Sequence, residues 1–146
     1  MPDIREPSGA TLSHFGFCKL AVQDLERSAA FYRAVFGLVD GARVTRDKSA
    51  SSGGPIDEIT FCCTAKGGPS LTLIKFLDRN SPPLGETILG FHTDDIDALV
   101  ERARLAGGTL ARPICDIPDH GVRVGFVADP EGHLIEVVSR LNWPEA

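Results

Sequence analysis

The chain repeats one order of secondary structure twice. An apolar strand ends at Val22, an aspartate follows at Asp24, and a helical pattern then runs to Gly37. The same series follows His92, where aspartates precede a second helical pattern that stops at Gly107. Aspartate accepts hydrogen bonds from the free N–H groups at a helix start, and glycine readily adopts the left-handed conformation that ends a helix. A repeat of about 70 residues is too long for a solenoid unit, so the sequence predicts a duplicated module.

Each copy continues with three strands after its helix. Apolar residues at helical spacing define the two helices, the first capped by Asp24 (Leu25, Ala29, Tyr32, Phe36) and the second by Asp94 (Ile96, Leu99, Val100, Leu105). Runs of β-branched and apolar residues predict strands at 15–22, 38–45, 56–65 and 71–77, and again at 87–93, 109–117, 122–128 and 134–140. Two βαβββ modules of this kind predict an α+β fold with a curled mixed sheet around one cleft.

The predicted organisation is one pair of modules with short ends. We divide the chain into an N-terminal arm (1–13), a first module (14–79), a connector (80–86), a second module (87–140) and a C-terminal tail (141–146).

Composition excludes several classes of protein. The chain of 146 residues is long enough for a substantial core, and its net charge of −5 argues against a nucleic-acid surface. No apolar run approaches the length of a membrane span, and the N-terminus lacks the apolar stretch of a signal peptide. We expect buried, reduced thiols in a cytoplasmic protein, because no Cys-x-x-Cys pair occurs among Cys18, Cys62, Cys63 and Cys115.

The stretch from Asp129 to Val138 predicts a tight turn followed by a buried strand. Pro130 fixes φ at the second position of the turn, and Gly132 can take a positive φ. The strand that follows is apolar or β-branched except at Glu136. A carboxylate in such a strand lies either on a hydrated sheet face or in a polar cavity.

Two motifs of this chain resemble those of a known superfamily. The first runs from Asp24 to Tyr32 and continues with Phe36-Gly37-Leu38, and the second runs from Asp129 to Glu136. Both resemble the vicinal oxygen chelate superfamily, which contains glyoxalase I, methylmalonyl-CoA epimerase, fosfomycin-resistance transferases, extradiol dioxygenases and bleomycin-binding proteins. The resemblance covers residues 15–140 and implies a small-molecule ligand and a homodimer. It leaves the reaction open, because members of one fold differ in chemistry.

The resemblance also implies positions for a metal site, with one ligand from each of four strands. It places them at Phe17, Lys75, Ile88 and Glu136. Only Glu136 is a ligand, since Phe and Ile carry no donor atom and an ammonium group has no free lone pair. We therefore expect no metal cofactor at the usual site. A variant site formed by His14, His92 and Glu136 is the alternative, and it requires shifted strand registers.

Alternation along the strands, together with the resemblance, predicts which side chains face the cleft. The expected set is Phe17, Lys19, Lys75, Ile88, His92 and Glu136. Because a buried carboxylate is costly unless it is paired, we expect Lys75 or Lys19 to pair with Glu136. Such a pair either serves catalysis or only joins the two sheet halves.

Arg123 and the remaining histidines complete the candidates. The superfamily often has an arginine three residues before the position of Phe126, and Arg123 either binds an anionic substrate group or bridges to Asp129. We expect His133 to be structural and His120 to be solvated.

Two classes of function fit these residues. The first is a metal-independent lyase or isomerase that acts on a small carbonyl compound, with Glu136 as acid or base and Lys75 stabilising a developing oxyanion. Substrate would contact Phe17, Lys19, Ile88, His92 and Arg123. The second is a protein that binds an antibiotic or metabolite without chemistry. The scarcity of aromatic walls, with one Trp and one Tyr, favours the enzyme.

Overall fold

The computed structural model describes residues 13–141. Within them the elements follow one another in the predicted order: β1 (Phe17–Ala21), α1 (Leu25–Phe36), β2 (Asp40–Arg46), β3 (Ile56–Phe61), β4 (Ser70–Phe76), β5 (Leu89–His92), α2 (Ile96–Leu105), β6 (Thr109–Ile117), β7 (Val122–Ala128) and β8 (Leu134–Arg140). The predicted arm and tail fall outside this range apart from Ser13 and Leu141.

Each module forms its own four-stranded mixed sheet. The first sheet, sheet A, has the order β1-β4-β3-β2, and the second, sheet B, has the order β5-β8-β7-β6. In both, the first strand pairs in parallel with the last strand of its module, and the remaining pairs are antiparallel. The predicted α+β fold of two βαβββ modules is confirmed. The sheets stay separate and do not close around a cleft within the chain.

Both helices begin at an aspartate that follows the strand before it. The Asp24 carboxylate accepts from the Arg27 backbone N–H at 3.1 Å, and Gly37 ends α1 with φ 67°. Helix α2 is capped by Asp95, which accepts from Ala98 N–H at 3.0 Å. The prediction of Asp94 as the cap is wrong by one residue, because in both modules the capping aspartate directly precedes the first buried apolar residue of its helix.

The two helices and one face of each sheet share a single core. From sheet A it includes Leu20, Ile59 and Leu73, from sheet B Val127, Ile135 and Val137, and from the helices Tyr32, Val35 and Leu99. We call this side of each sheet its helix face and the opposite side its open face. Buried residues such as Ile56, Ile74, Val122 and Val124 belong to the open faces and not to the shared core.

Several strand limits and the burial of the cysteines differ from the predictions. The strand predicted to reach residue 65 ends at Phe61, and β1 and β5 are shorter than predicted, whereas β6, β7 and β8 have the predicted limits. The expected burial of the thiols is wrong for Cys62, Cys63 and Cys115, which are exposed, and Cys18 is half-buried. The first two lie beyond the end of β3, and Cys115 lies on β6, the edge strand of its sheet.

Candidate functional site

The strand registers decide which predicted site residues share an open face. In sheet A, Phe17 and Lys19 lie on the open face, since the intervening Cys18 and the following Leu20 point to the helix face. In sheet B, the open face carries Ile88, His92 and Glu136. Phe17 and Ile88 are 60% and 57% exposed, so both faces present apolar side chains to solvent.

Glu136 lies in the middle of the open face of sheet B. It is opposite Gly90 on one neighbouring strand and Phe126 on the other. The residue is half-buried, and its carboxylate makes no hydrogen bond or ion pair within the described part of the chain. A carboxylate placed among apolar neighbours without a partner remains available to accept a proton.

Lys75 does not lie on this surface. It is opposite Asp57 in the ladder of β3 and β4, and the Asp57 carboxylate binds Arg43, whose guanidinium also pairs with Glu26 on α1. Lys75 is therefore on the helix face of sheet A. The predicted pair of Lys75 with Glu136 is wrong, because Lys75 is out of phase with the open-face residues of β4.

Register gives a different counterpart of Glu136 in the first module. Ala21 pairs with Ile74 and His92 pairs with Val138 at the last position of each parallel ladder, so these ladders correspond residue by residue. On this correspondence Thr72 is the equivalent of Glu136. Thr72 is 2% exposed and its hydroxyl lies 2.8 Å from that of Thr60.

Lys19 has its own partner. Its Nζ lies 2.9 Å from Oε2 of Glu58, which occupies the open face of sheet A. The expectation that Lys19 pairs with Glu136 is therefore also wrong. The Lys19–Glu58 pair places one positive and one negative group on sheet A, whereas Glu136 of sheet B forms no ion pair within residues 13–141.

Arg123 is held on the helix face of sheet B. Its Nη1 donates to Asp97 of α2 at 3.1 Å, and its Nε lies 3.1 Å from a carboxylate oxygen of Asp116. Arg123 therefore neither faces the open face nor bridges to Asp129. Sequence reasoning missed Arg112, whose guanidinium lies 6.0 Å from the ring centre of Phe126, the neighbour of Glu136. Two register shifts in β6 hide the phase of Arg112 from simple alternation.

The histidines form no metal site among the residues that the structure describes. His14, His92 and Glu136 are not brought together, and no group of three His, Cys, Asp or Glu side chains within residues 13–141 is placed to hold a metal ion. His120 is exposed in the 3-10 turn between β6 and β7. His133 is buried, and its two ring nitrogens lie next to the Asp129 carboxylate and the Ala21 carbonyl.

The two resemblance motifs contact each other across the module boundary. The Glu131 carboxylate accepts from the backbone N–H groups of Gln23 and Asp24 at 2.7 and 2.9 Å and from the Ser28 hydroxyl at 3.0 Å. A carboxylate at this position also opposes the positive end of the α1 dipole. The turn before β8 therefore fixes the start of α1.

Asp129, His133 and Tyr32 form a buried network beside this contact. The Tyr32 hydroxyl donates to Asp129 at 2.8 Å, and Nδ1 of His133 lies 2.9 Å from the same carboxylate oxygen. Nε2 of His133 lies 3.1 Å from the carbonyl oxygen of Ala21. Because both ring nitrogens face acceptors, the imidazolium form satisfies both of them.

This network shifts the pKa of each of its members. The hydrogen bond and charge of Asp129 raise the pKa of His133 against the opposing effect of burial. Burial acts to raise the pKa of Asp129, but the hydrogen bond and charge of His133 and the bond from Tyr32 outweigh it and lower that pKa. Burial and the Asp129 charge raise the pKa of Tyr32. The shifts favour an Asp129–His133 ion pair within the second module, and its contacts with the Tyr32 hydroxyl and the Ala21 carbonyl connect it to the first module.

The fold and the two motifs of this chain match a known family of proteins. A family model described as the Glyoxalase/Bleomycin resistance protein/Dioxygenase superfamily matches residues 11–137. The chain belongs to this superfamily, which confirms the resemblance of its two motifs.

Individual proteins and solved structures are also similar to this chain. The chain is 28% identical over 130 residues to the lactoylglutathione lyase GLX1 of Arabidopsis thaliana, a match that covers 85% of this chain and 43% of that protein. The chain thus spans less than half the length of this relative. A glyoxalase family protein of Bacillus cereus has the same fold, with a TM-score of 0.75, 18% identity and coverage of 94% and 99% of the two chains. A glyoxalase-related enzyme of Fulvimarina pelagi matches with a TM-score of 0.60, 28% identity and coverage of 92% and 94%.

No helix among the described residues is a candidate for a membrane span. Neither α1 nor α2 is long and apolar enough to cross a bilayer.

Proposed function

We propose that this protein is a metal-independent lyase or isomerase that acts on a small carbonyl compound, with Glu136 as its general acid or base. The observation that carries the proposal is the position of Glu136 at the centre of the open face of sheet B, half-buried beside Phe126 and without a partner in the described chain. The similarity to a lactoylglutathione lyase supports the same reaction class.

The chemistry needs only one proton and one electron pair to move at a time. Glu136 removes a proton from the carbon next to the carbonyl. The electrons of the C–H bond form a C=C bond, and the π electrons of the carbonyl move to its oxygen, which gives an enolate. Return of the proton at a different carbon or oxygen gives an isomer, whereas departure of a leaving group from the adjacent carbon gives elimination. A general base of this kind contributes about 10²–10⁴-fold to rate.

Arg112 replaces Lys75 as the candidate that stabilises the oxyanion. Its guanidinium lies over Phe126, and it is two strands from Glu136 in the same sheet. Phe126 is the ladder partner of both Arg112 and Glu136, so the two side chains flank the same ring on the open face. A fixed cation at the position of developing charge stabilises an enolate electrostatically.

The donor set argues against the metal site that the resemblance implies. By strand register, Thr72 and not Lys75 is the equivalent of Glu136 in the first module. The four positions of the implied metal site are therefore Phe17, Thr72, Ile88 and Glu136. Two hydrocarbon side chains, one hydroxyl that already bonds Thr60 and one carboxylate do not fit a divalent transition metal. No step of the proposed reaction uses a metal.

We expect purified protein to contain far less than one equivalent of Zn²⁺, Ni²⁺, Fe²⁺ or Mn²⁺. Elemental analysis by mass spectrometry measures this, and dialysis against a chelator should leave the melting temperature unchanged. The control is Glu136→Ala. Nearly one equivalent of metal in wild type that disappears in Glu136→Ala would contradict the prediction and favour a variant site with His14 and His92.

A second copy of the chain is part of the proposal. Phe17 and Ile88 occupy equivalent positions on the two open faces and are both mostly exposed. Joining sheet A of one protomer to sheet B of its partner would cover these side chains and create a cleft between the Lys19–Glu58 pair and Glu136. The homodimer is thus the form in which we expect activity.

Proton exchange tests the proposed function directly. Wild-type protein in D₂O with S-lactoylglutathione or hydroxyacetone should accelerate loss of the carbon-bound proton signal in proton NMR, because a base that removes the proton exchanges it with solvent. Exchange with neither probe, together with unchanged recovery of both probes after tight binding, would favour the alternative of a protein that binds without chemistry.

A further inference from the structure

The two sides of the module junction are related by the internal repeat but are filled differently. Val22 and Thr93 donate from equivalent positions to the carbonyls of Ile74 and Val138, both at 2.9 Å. The turn before β8 and the turn before β4 also correspond, since Gly132 N–H bonds Asp129 and Gly68 N–H bonds Ala65 in the same way. The two junctions can therefore be compared residue by residue.

One junction is closed by large polar side chains and the other is not. The residues that close the first are Tyr32, Asp129 and His133. Their equivalents in the other junction are Ala103, Ala65 and Pro69. A pocket of about 700 Å³ lies at this second junction, and Ala65 and Pro69 are in its wall. Its volume falls within the range of small-molecule sites, about 300–1,000 Å³.

The floor of the pocket is apolar and partly aromatic. The rings of Phe36 and Phe91 stack at 3.9 Å across the module boundary, and Phe61 and Leu71 extend the surface from sheet A. Such a floor favours a hydrocarbon or aromatic ligand, because burying apolar surface is the dominant favourable term in binding. Glu136 does not line this pocket, but Ile88 and His92, which share the open face of sheet B with Glu136, do, so the pocket adjoins the proposed reaction site along β5.

A cation lies in the same wall. Nε of Arg102 donates to the Val35 carbonyl at 3.1 Å, which holds the side chain in place. No carboxylate within residues 13–141 pairs with its guanidinium. The remaining N–H groups suit a carboxylate, which guanidinium binds with paired hydrogen bonds.

We propose that this pocket binds a small amphipathic carboxylate, with its apolar tail on Phe36 and Phe91 and its anionic head at Arg102. The unequal filling of two equivalent junctions and the charge complementarity of Arg102 carry this assignment. The pocket adjoins the proposed reaction site along β5 but excludes Glu136, and the carboxylate it binds is neither substrate nor cofactor of that reaction.

Binding of decanoate and decanol tests the charge requirement. Decanoate should bind wild type by calorimetry, and decanol should bind at least about 10-fold more weakly, as expected when a charge-assisted hydrogen bond is lost. Arg102→Gln should weaken decanoate by a similar factor and leave decanol unchanged. Arg104→Gln is the matched control, since Arg104 lies on the same helix, pairs with Glu101 and is outside the pocket.

A substitution that fills the pocket and the protection of thiols from alkylation test where decanoate binds. Ala65→Trp, a change at an exposed wall residue, should abolish decanoate binding, and Glu136→Gln should not affect it. Decanoate should protect Cys18 and Cys62, which line the pocket, from iodoacetamide, whereas Cys115, which is exposed outside it, should react as before.

Three results would overturn the proposal. They are an absence of decanoate binding at millimolar concentration, equal binding to wild type, Arg102→Gln and Ala65→Trp, and protection of Cys18 and Cys62 by raised protein concentration alone. The last would mean that a second copy of the chain covers the pocket.

Discussion

Glu136→Gln should reduce proton exchange with the active carbonyl probe by at least about 100-fold while the protein remains folded. Glutamine has nearly the same shape as glutamate but cannot accept a proton at neutral pH. Because Glu136 has no partner in the described chain, its replacement leaves no buried charge behind. The melting temperature should therefore stay close to that of wild type, and the loss should appear in kcat more than in KM.

Glu58→Gln is the matched control for this change. Glu58 is a carboxylate on the other open face, but it is already paired with Lys19. Its replacement should leave exchange within a few-fold of wild type. An equal loss in both variants would indicate a general effect of charge on the cleft, and retained exchange in Glu136→Gln would exclude Glu136 as the base.

The elements that could be predicted from sequence depend on local signals. The helix that starts after Asp24 and stops at Gly37 has its cap, its periodicity and its stop within one short segment. The last three strands have their predicted limits, because turn residues bracket them at Pro118, Gly121 and Pro130. In contrast, the sequence predicts β3 too long, since Cys62 and Cys63 suit a strand but lie beyond its ladder with β4.

The site residues depend on pairing between distant segments, which alternation cannot supply. Thr72 and Lys75 lie on one strand, and only the parallel ladder with β1 shows that Thr72 is the equivalent of Glu136. An error of three positions moves a side chain to the other face of a sheet. The distance of Arg123 from Phe126 along the chain predicts a site residue, but the partner of Arg123 is Asp97, which α2 supplies from elsewhere in the chain. Glu136 is predictable from sequence, because one carboxylate interrupts an otherwise apolar strand.

The largest stability loss is expected from Asp129→Ala. This change leaves a buried His133 imidazolium without its counter-charge and the Tyr32 hydroxyl without its acceptor. Breaking a buried pair by removing one partner costs about 3–5 kcal/mol, a large part of the 5–15 kcal/mol by which a typical domain is stable. Chemical denaturation measures the free energy of unfolding. If Asp129→Ala does not fold, Tyr32→Phe should still show a loss of about 2 kcal/mol, because it removes one hydrogen bond to a charged group.

Asp116→Ala and the pH dependence of wild type separate this network from ordinary surface charge. Asp116 pairs with Arg123 and its side chain is 56% exposed, so Asp116→Ala should lower the free energy of unfolding by less than about 1 kcal/mol.

Because the pKa of His133 is raised, the contribution of His133 to stability is complete below the ordinary histidine value of 6.5 and is lost as pH rises through the folded pKa. Because the pKa of Asp129 is lowered, its contribution is complete above the ordinary aspartate value of 3.8 and is lost as pH falls through the folded pKa. The ion pair should therefore stabilise wild type most between 3.8 and 6.5, and the difference in unfolding free energy between wild type and Asp129→Ala should be largest in that window. A difference that stays constant from acid to alkaline pH would show that the network acts through packing and not through charge.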